Sequence, residues 1–106
     1  MQLQGLTALI TGAGKGLGRA IATRFAREGS KVIGLARHAA DLKNVEQDIQ
    51  AQDGSFQGLA CDVSQTAEVQ QAAEQVRKEF ERIDILVNNA AIVGPPQFTE
   101  RFDHWR

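Results

Sequence analysis

The run Thr11-Gly12-Ala13-Gly14-Lys15-Gly16-Leu17-Gly18 sets four glycines at alternate positions. Glycine reaches positive φ without steric penalty and lets a backbone approach a bulky anion closely. An apolar, strand-like stretch, Ala8-Leu9-Ile10, precedes the run and a helical pattern follows it. The helix start would then offer unpaired amides and a positive dipole end, a combination suited to a pyrophosphate. Two related glycine patterns are excluded. The strict G-x-G-x-x-G spacing is not met, and a P-loop needs Ser or Thr after its lysine, whereas Gly16 follows Lys15. The spacing present is T-G-x-x-x-G-x-G. The same glycines would also make a merely flexible turn; their place between a strand and an amphipathic helix argues for a binding turn.

Few other residues offer chemistry. Asp62 ends an apolar stretch, and read alone it is either a ligand contact or a polar residue leading into a helix capped by Ser64. Asn88 and Asn89 follow another apolar run and double as ordinary turn residues. Cys61 is the only cysteine, so it can form neither an internal disulfide nor a zinc cluster, and its place at a strand end makes it core. His38 and His104 have no visible partners and read as surface residues. Neither a metal-ligand cluster nor a nucleophile–base pair is evident.

The elements that must position these residues alternate along the chain. After Ala8-Leu9-Ile10, a helix starting at Gly16 carries Leu17, Ile21 and Phe25 as its stripe, widened by Ala22 and Ala26 and stopped by Gly29. Val32 to Leu35 reads as a second strand. A second helix then carries Leu42, Val45 and Ile49 and ends near Gly54. Phe56 to Cys61 is a third strand interrupted by Gly58. Val69, Ala72, Ala73, Val76 and Phe80 trace a third helix, and Ile83 to Val87 forms a fourth strand, apolar except for Asp84. Thr99 is placed to cap one more helix with Phe102 and Trp105 on its apolar side. The order β-α-β-α-β-α-β, with second and fourth strands that read as apolar runs instead of alternating, predicts an α/β fold with a parallel sheet buried on both faces.

Composition agrees with this class. With 106 residues the chain is expected to form one domain, and 42% hydrophobic and 24% charged residues are the values of a folded globular protein. A net charge of −1 without a basic cluster argues against nucleic acid and anionic membranes as partners. The N-terminus has no secretory signal pattern, and a cytoplasmic location is expected.

Three motifs at strand ends carry a resemblance. The T-G-x-x-x-G-x-G turn, Asp62-Val63 after the third strand and Leu86-Val87-Asn88-Asn89-Ala90 after the fourth resemble the short-chain dehydrogenase/reductase family, most nearly its 3-oxoacyl-carrier-protein reductase type. The resemblance implies a Rossmann-type, doubly wound sheet of order 3-2-1-4 with the ligand crevice between strands one and four. It also implies that Gly12, Ala13, Gly14, Lys15, Gly16, Leu17 and Gly18 form the pyrophosphate turn, that Asp62 and Val63 meet the adenine, and that Asn89 and Ala90 line the adenosine side. Ala91 stands where the family usually has glycine. An NAD site wants a carboxylate at the end of strand two; that position is Ala36 here, and Arg37 follows it. A guanidinium suits a phosphate, so Arg37 and Lys15 point to NADP, unless both are solvated surface charges.

The family's hydride transfer relies on a Ser and a Tyr-x-x-x-Lys, and this sequence contains no tyrosine. No catalytic residue is therefore assigned. The expectation is the N-terminal portion of an NADP-dependent oxidoreductase acting on a small carbonyl or alcohol, truncated after the fourth strand and prone to self-association through its open edge. The alternatives are a noncatalytic NADP-binding module and an inactive fragment.

Overall fold

The computed structural model describes residues 3–89. Ala90 and Ala91, and the helix predicted after Thr99 with Phe102 and Trp105, lie outside the described residues, as does His104. Seven elements follow in the predicted order. They are β1 (Thr7–Thr11), α1 (Gly16–Arg27), β2 (Lys31–Ala36), α2 (Ala39–Gln50), β3 (Ser55–Ala60), α3 (Thr66–Glu79) and β4 (Ile85–Val87). All strand pairs are parallel and the sheet order is β3-β2-β1-β4. This is the doubly wound, Rossmann-like arrangement.

The alternation of side chains along each strand divides the core into two layers. Leu9, Ile33 and Leu35 face α3, where Val69, Ala72, Ala73 and Val76 close over them. Ile10, Val32 and Phe56 face the other way, against Ala22 and Ala26 of α1 and Leu42, Val45 and Ile49 of α2. Gly58, which weakened the expectation for β3, sits opposite Gly34 in register. A methyl on Gly58 would stand 2.9 Å from the Leu42 Cβ, so the glycine is what lets α2 lie close on the sheet.

Three local expectations are corrected. The buried stripe of α1 is Gly18, Ala22 and Ala26, one residue along from Leu17, Ile21 and Phe25. Leu17 is 67% exposed, whereas Ile21 and Phe25 pack at the margin of the core. The helix turns its smallest residues to the sheet because the glycine turn brings the two backbones together at Gly18. Ser64 does not cap α3: Gln65 occupies that position, and Ser64 is engaged with Asp62 instead. Phe80 follows the last turn of α3 as an extended residue rather than belonging to the helix. The stop at Gly29 stands, with φ +96° and main-chain bonds from Gly29 to Ala26 and from Ser30 to Phe25.

β4 is shorter than expected, beginning at Ile85, and the reason is Asp84. Its N–H donates to the Thr7 carbonyl and its carboxylate accepts the Thr7 N–H, both at 2.8 Å. A side chain thus replaces a main-chain partner where β1 and β4 enter the sheet. Arg82, itself exposed, adds an ion pair at 2.8 Å to this mostly covered carboxylate. Asp84→Ala strips the Thr7 N–H of its partner and is expected to destabilise the fold by about 1–3 kcal/mol. Asp84→Asn, which keeps an acceptor oxygen, should recover most of that loss in a urea titration.

Candidate functional site

In a parallel sheet wound this way the carboxyl ends of all strands, and the N-termini of the helices that follow them, meet at one edge. The glycine turn joins β1 to α1 there. Gly12 and Gly16 take φ of +63° and +56°, the left-handed region that other residues enter at a cost. Gly14 and Gly18 are required for space. A methyl on Gly18 would overlap the Gly12 carbonyl oxygen and stand 2.7 Å from the Asn89 amide nitrogen. Ala13 is wholly buried and its N–H donates to the Leu35 carbonyl at 3.1 Å, so it anchors the turn to β2.

The turn is tied to β4 through polar groups. The Thr11 hydroxyl accepts the Asn89 N–H at 2.8 Å and has the Asn88 side-chain oxygen as an acceptor at 3.2 Å. The Asn89 amide donates to the Gly12 carbonyl at 3.4 Å. Asn89 is thereby a brace of the turn, and Thr11, at first only the opening letter of the motif, is the hinge between the two strands.

Beside the turn lies a cleft of about 510 Å³. Gly12, Gly14 and Lys15 form one wall, Ala36 and Arg37 the floor at the end of β2, and Cys61, Asp62 and Val63 the opposite wall at the end of β3. The structure therefore brings the predicted Arg37, Asp62, Val63, Gly12, Gly14 and Lys15 together around one space. Gly16, Leu17, Gly18 and Asn89 do not line this cleft, and Gly18 and Asn89 lie together on the β4 side of the turn.

Charges in the cleft are matched. Arg37 Nε lies 3.8 Å from Asp62 Oδ2, and Lys15 Nζ lies 3.7 Å from Asp41 Oδ2. The cations are largely exposed and the two carboxylates mostly covered. Asp62 is held by the Ser64 hydroxyl at 2.7 Å and the Ser64 N–H at 3.0 Å, and these bonds, with a smaller contribution from Arg37, keep its carboxyl below the ordinary value of 3.8. Glu68 accepts the Asp62 N–H at 2.9 Å, closing the loop onto α3. Burial, then the nearby Glu68 and Asp62 charges, push the Cys61 thiol up to about 11, in keeping with a core cysteine. Asp41, Ser64 and His38 also line the cleft, and none of them was singled out from the sequence as a ligand contact. Asp41 was discoverable: it falls in the first turn of the helix directly after strand two.

The three helices among the described residues begin without a side-chain cap, yet they differ in charge. α2 has Asp41 and α3 has Glu68 in the first turn, whereas α1 has no acidic residue there. The positive end of α1 is thus left for an anion from outside the helix.

A family model described as short chain dehydrogenase matches residues 6–105. The chain belongs to the short chain dehydrogenase family. Among other members, D-threitol dehydrogenase of Mycolicibacterium smegmatis is 41% identical over 91 residues, covering 86% of this chain and 35% of that protein. The 3-oxoacyl-acyl-carrier-protein reductase of Salmonella typhimurium is 41% identical over 92 residues, covering 87% of this chain and 36% of the relative. A metagenomic short-chain oxidoreductase, solved in complex with NADP, superposes with a TM-score of 0.82 at 37% identity and covers 87% of this chain and 42% of its own. The chain thus spans little more than a third of the length of these two curated short chain dehydrogenase relatives. No helix among the described residues is long and apolar enough to cross a membrane.

The two glycine requirements are separable by substitution. Gly16→Ala meets open space and suffers only backbone strain, an expected loss of about 1–2 kcal/mol. Gly18→Ala forces α1 away from Gly12 and is expected to cost about 3 kcal/mol or more, as overpacking against a rigid backbone does. Denaturant titration of the two variants should rank them in that order. Native Cys61 should resist iodoacetamide at pH 8 and react once urea unfolds the chain. Because its folded value of about 11 lies above the ordinary 9.0, its contribution to stability is complete below pH 9 and is lost as pH rises through 11.

Proposed function

We propose that this chain forms the NADP-binding portion of a cytoplasmic oxidoreductase that transfers hydride between the nicotinamide and a small carbonyl or alcohol substrate. The observation that carries the reading is the N-terminus of α1. It opens beside a glycine turn shaped for close backbone approach, and it has no carboxylate of its own to balance the dipole. A pyrophosphate supplies that charge. The relative solved with NADP, sharing this fold at 37% identity, supports the same ligand class.

The residues present fit such a group. Gly12, Gly14, Gly16 and Gly18 give the turn its shape, Ala13 fixes it to β2, and Leu17 presents an exposed apolar surface at the start of α1. Asp62 and Val63 would meet the adenine across the cleft, and Asn89 would hold the adenosine side through its brace to Gly12. Arg37 and Lys15 would take the 2′-phosphate, since Ala36 offers no carboxylate to the ribose and both cations are exposed and loosely paired. The nicotinamide cofactor, when bound, supplies the hydride. The side chains that handle the substrate's proton are not assigned among these residues, which include no tyrosine.

Arg37 tests the cofactor assignment. Charge-assisted hydrogen bonds to the phosphate contribute roughly 1.5–3 kcal/mol each. Arg37→Ala is therefore expected to weaken NADPH binding about tenfold or more and to leave NADH nearly unchanged. Fluorescence titrations at low and high salt measure both. Equal loss of the two cofactors would make Arg37 a support of the fold, and no loss would make it a solvated charge.

A further inference from the structure

Ala36 removes the carboxylate that would bind ribose hydroxyls at the end of β2, but the structure sets another carboxylate beside that position. Gly14 is where the two meet. A methyl on Gly14 would stand 3.3 Å from the Ala36 Cβ, 2.9 Å from the Asp41 Cβ and 3.7 Å from Asp41 Oδ2. Asp41 thus reaches the rim of the glycine turn from the first turn of α2, and its N–H bond to the His38 carbonyl at 3.1 Å fixes where it starts. Its carboxylate lines the cleft, is 26% exposed, and faces the exposed Lys15 ammonium at 3.7 Å.

We propose that Asp41 is a specificity-determining residue of the cleft, one that opposes a 2′-phosphate on the bound adenosine and favours a free 2′-hydroxyl. The proposal rests on the dinucleotide reading given above. Two effects act in the same direction. The carboxylate repels a dianionic phosphate arriving beside Gly14, and it engages Lys15, one of the two cations that phosphate would use. Toward a ribose hydroxyl the same carboxylate is an acceptor. The other carboxylate of the cleft, Asp62, is tied down by Ser64 at the far wall and faces Arg37. Asp41 is therefore the negative charge on the glycine-turn side of the cleft. The consequence is a site whose preference for NADP over NAD is held down by its own residue and is easily raised.

The test compares adenosine 2′,5′-bisphosphate with 5′-AMP by calorimetry on the full chain, wild type and Asp41→Asn. These probes differ by the 2′-phosphate alone and need no nicotinamide or substrate site. The ratio of their dissociation constants within one variant is unaffected by the fraction of chains folded, because that fraction scales both equally. Removing a unit charge that stands beside the dianion in a hydrated cleft should raise the preference for the bisphosphate about fivefold. A gain of that order in Asp41→Asn, or in Asp41→Ser where the Asn variant does not fold, supports the proposal. A ratio that moves less than twofold, or both affinities falling together, overturns it and leaves the dinucleotide reading standing. Failure of the wild type to bind either probe overturns both.

Discussion

Just past the carboxyl end of β1 a carbonyl oxygen lies where the side chain of Gly18 would begin. That contact between the Gly12 carbonyl and the bare α-carbon of Gly18 fixes how near α1 comes to the sheet. Everything at the site follows from the spacing. The helix must present Ala22 and Ala26 below Gly18, so its bulkier Ile21 and Phe25 are moved to the flank and Leu17 into solvent. The same closeness leaves room for the Asn89 side chain to reach the Gly12 carbonyl, which ties the turn to β4. Helix, turn and central strands are one packed unit.

Electrostatics at this edge is a matter of balance. The parallel winding gathers three helix N-termini together, none with a side-chain cap, and each would add partial positive charge. Asp41 and Glu68 answer two of them from within. Asp62 is stabilised as an anion by Ser64 and in turn holds Arg37 loosely. Among the described residues the cleft is lined by two cations and two carboxylates, paired Lys15 with Asp41 and Arg37 with Asp62. Selectivity in such a place comes from which charges are fixed and which can swing. Here Asp62 is held by Ser64, whereas the two long cations are largely exposed.

Much of this was legible before any coordinate. The alternation of apolar runs and amphipathic stretches placed all seven elements, and the family resemblance carried by the strand-end motifs supplied their sheet order. The glycine turn was legible because Gly12 and Gly16 sit between a strand and a helix. What escaped was decided by side-chain geometry across the fold. Large apolar residues marked the wrong centre for the α1 stripe, since periodicity weighs Leu17 above Gly18 and cannot see that a carbonyl is waiting opposite. Ser64 has the side chain of a helix cap, but Asp62 two residues earlier is a stronger partner. Asp84 interrupted an apolar run as a blemish, when it completes the pairing of β1. Asp41 was passed over although it opens the helix after strand two; what the sequence does not display is that the turn into α2 folds it back beside Ala36, five residues earlier.

The pairing of β1 with β4 carries a consequence for how the molecule comes into being. Strands from opposite ends of the described chain pair where β4 lies outermost in the described sheet, joined at one end by Thr7 with Asp84 and at the other by Thr11 with Asn89. Bringing such distant segments together incurs the loop-closure cost before any contact offsets it, which makes long-range parallel pairing slow. During synthesis β1, α1 and β2 emerge first and can associate early. The brace on the glycine turn waits for β4. Competence to hold a nucleotide should therefore follow the pairing of β4 with β1, and its appearance would serve as a clock for that long-range step.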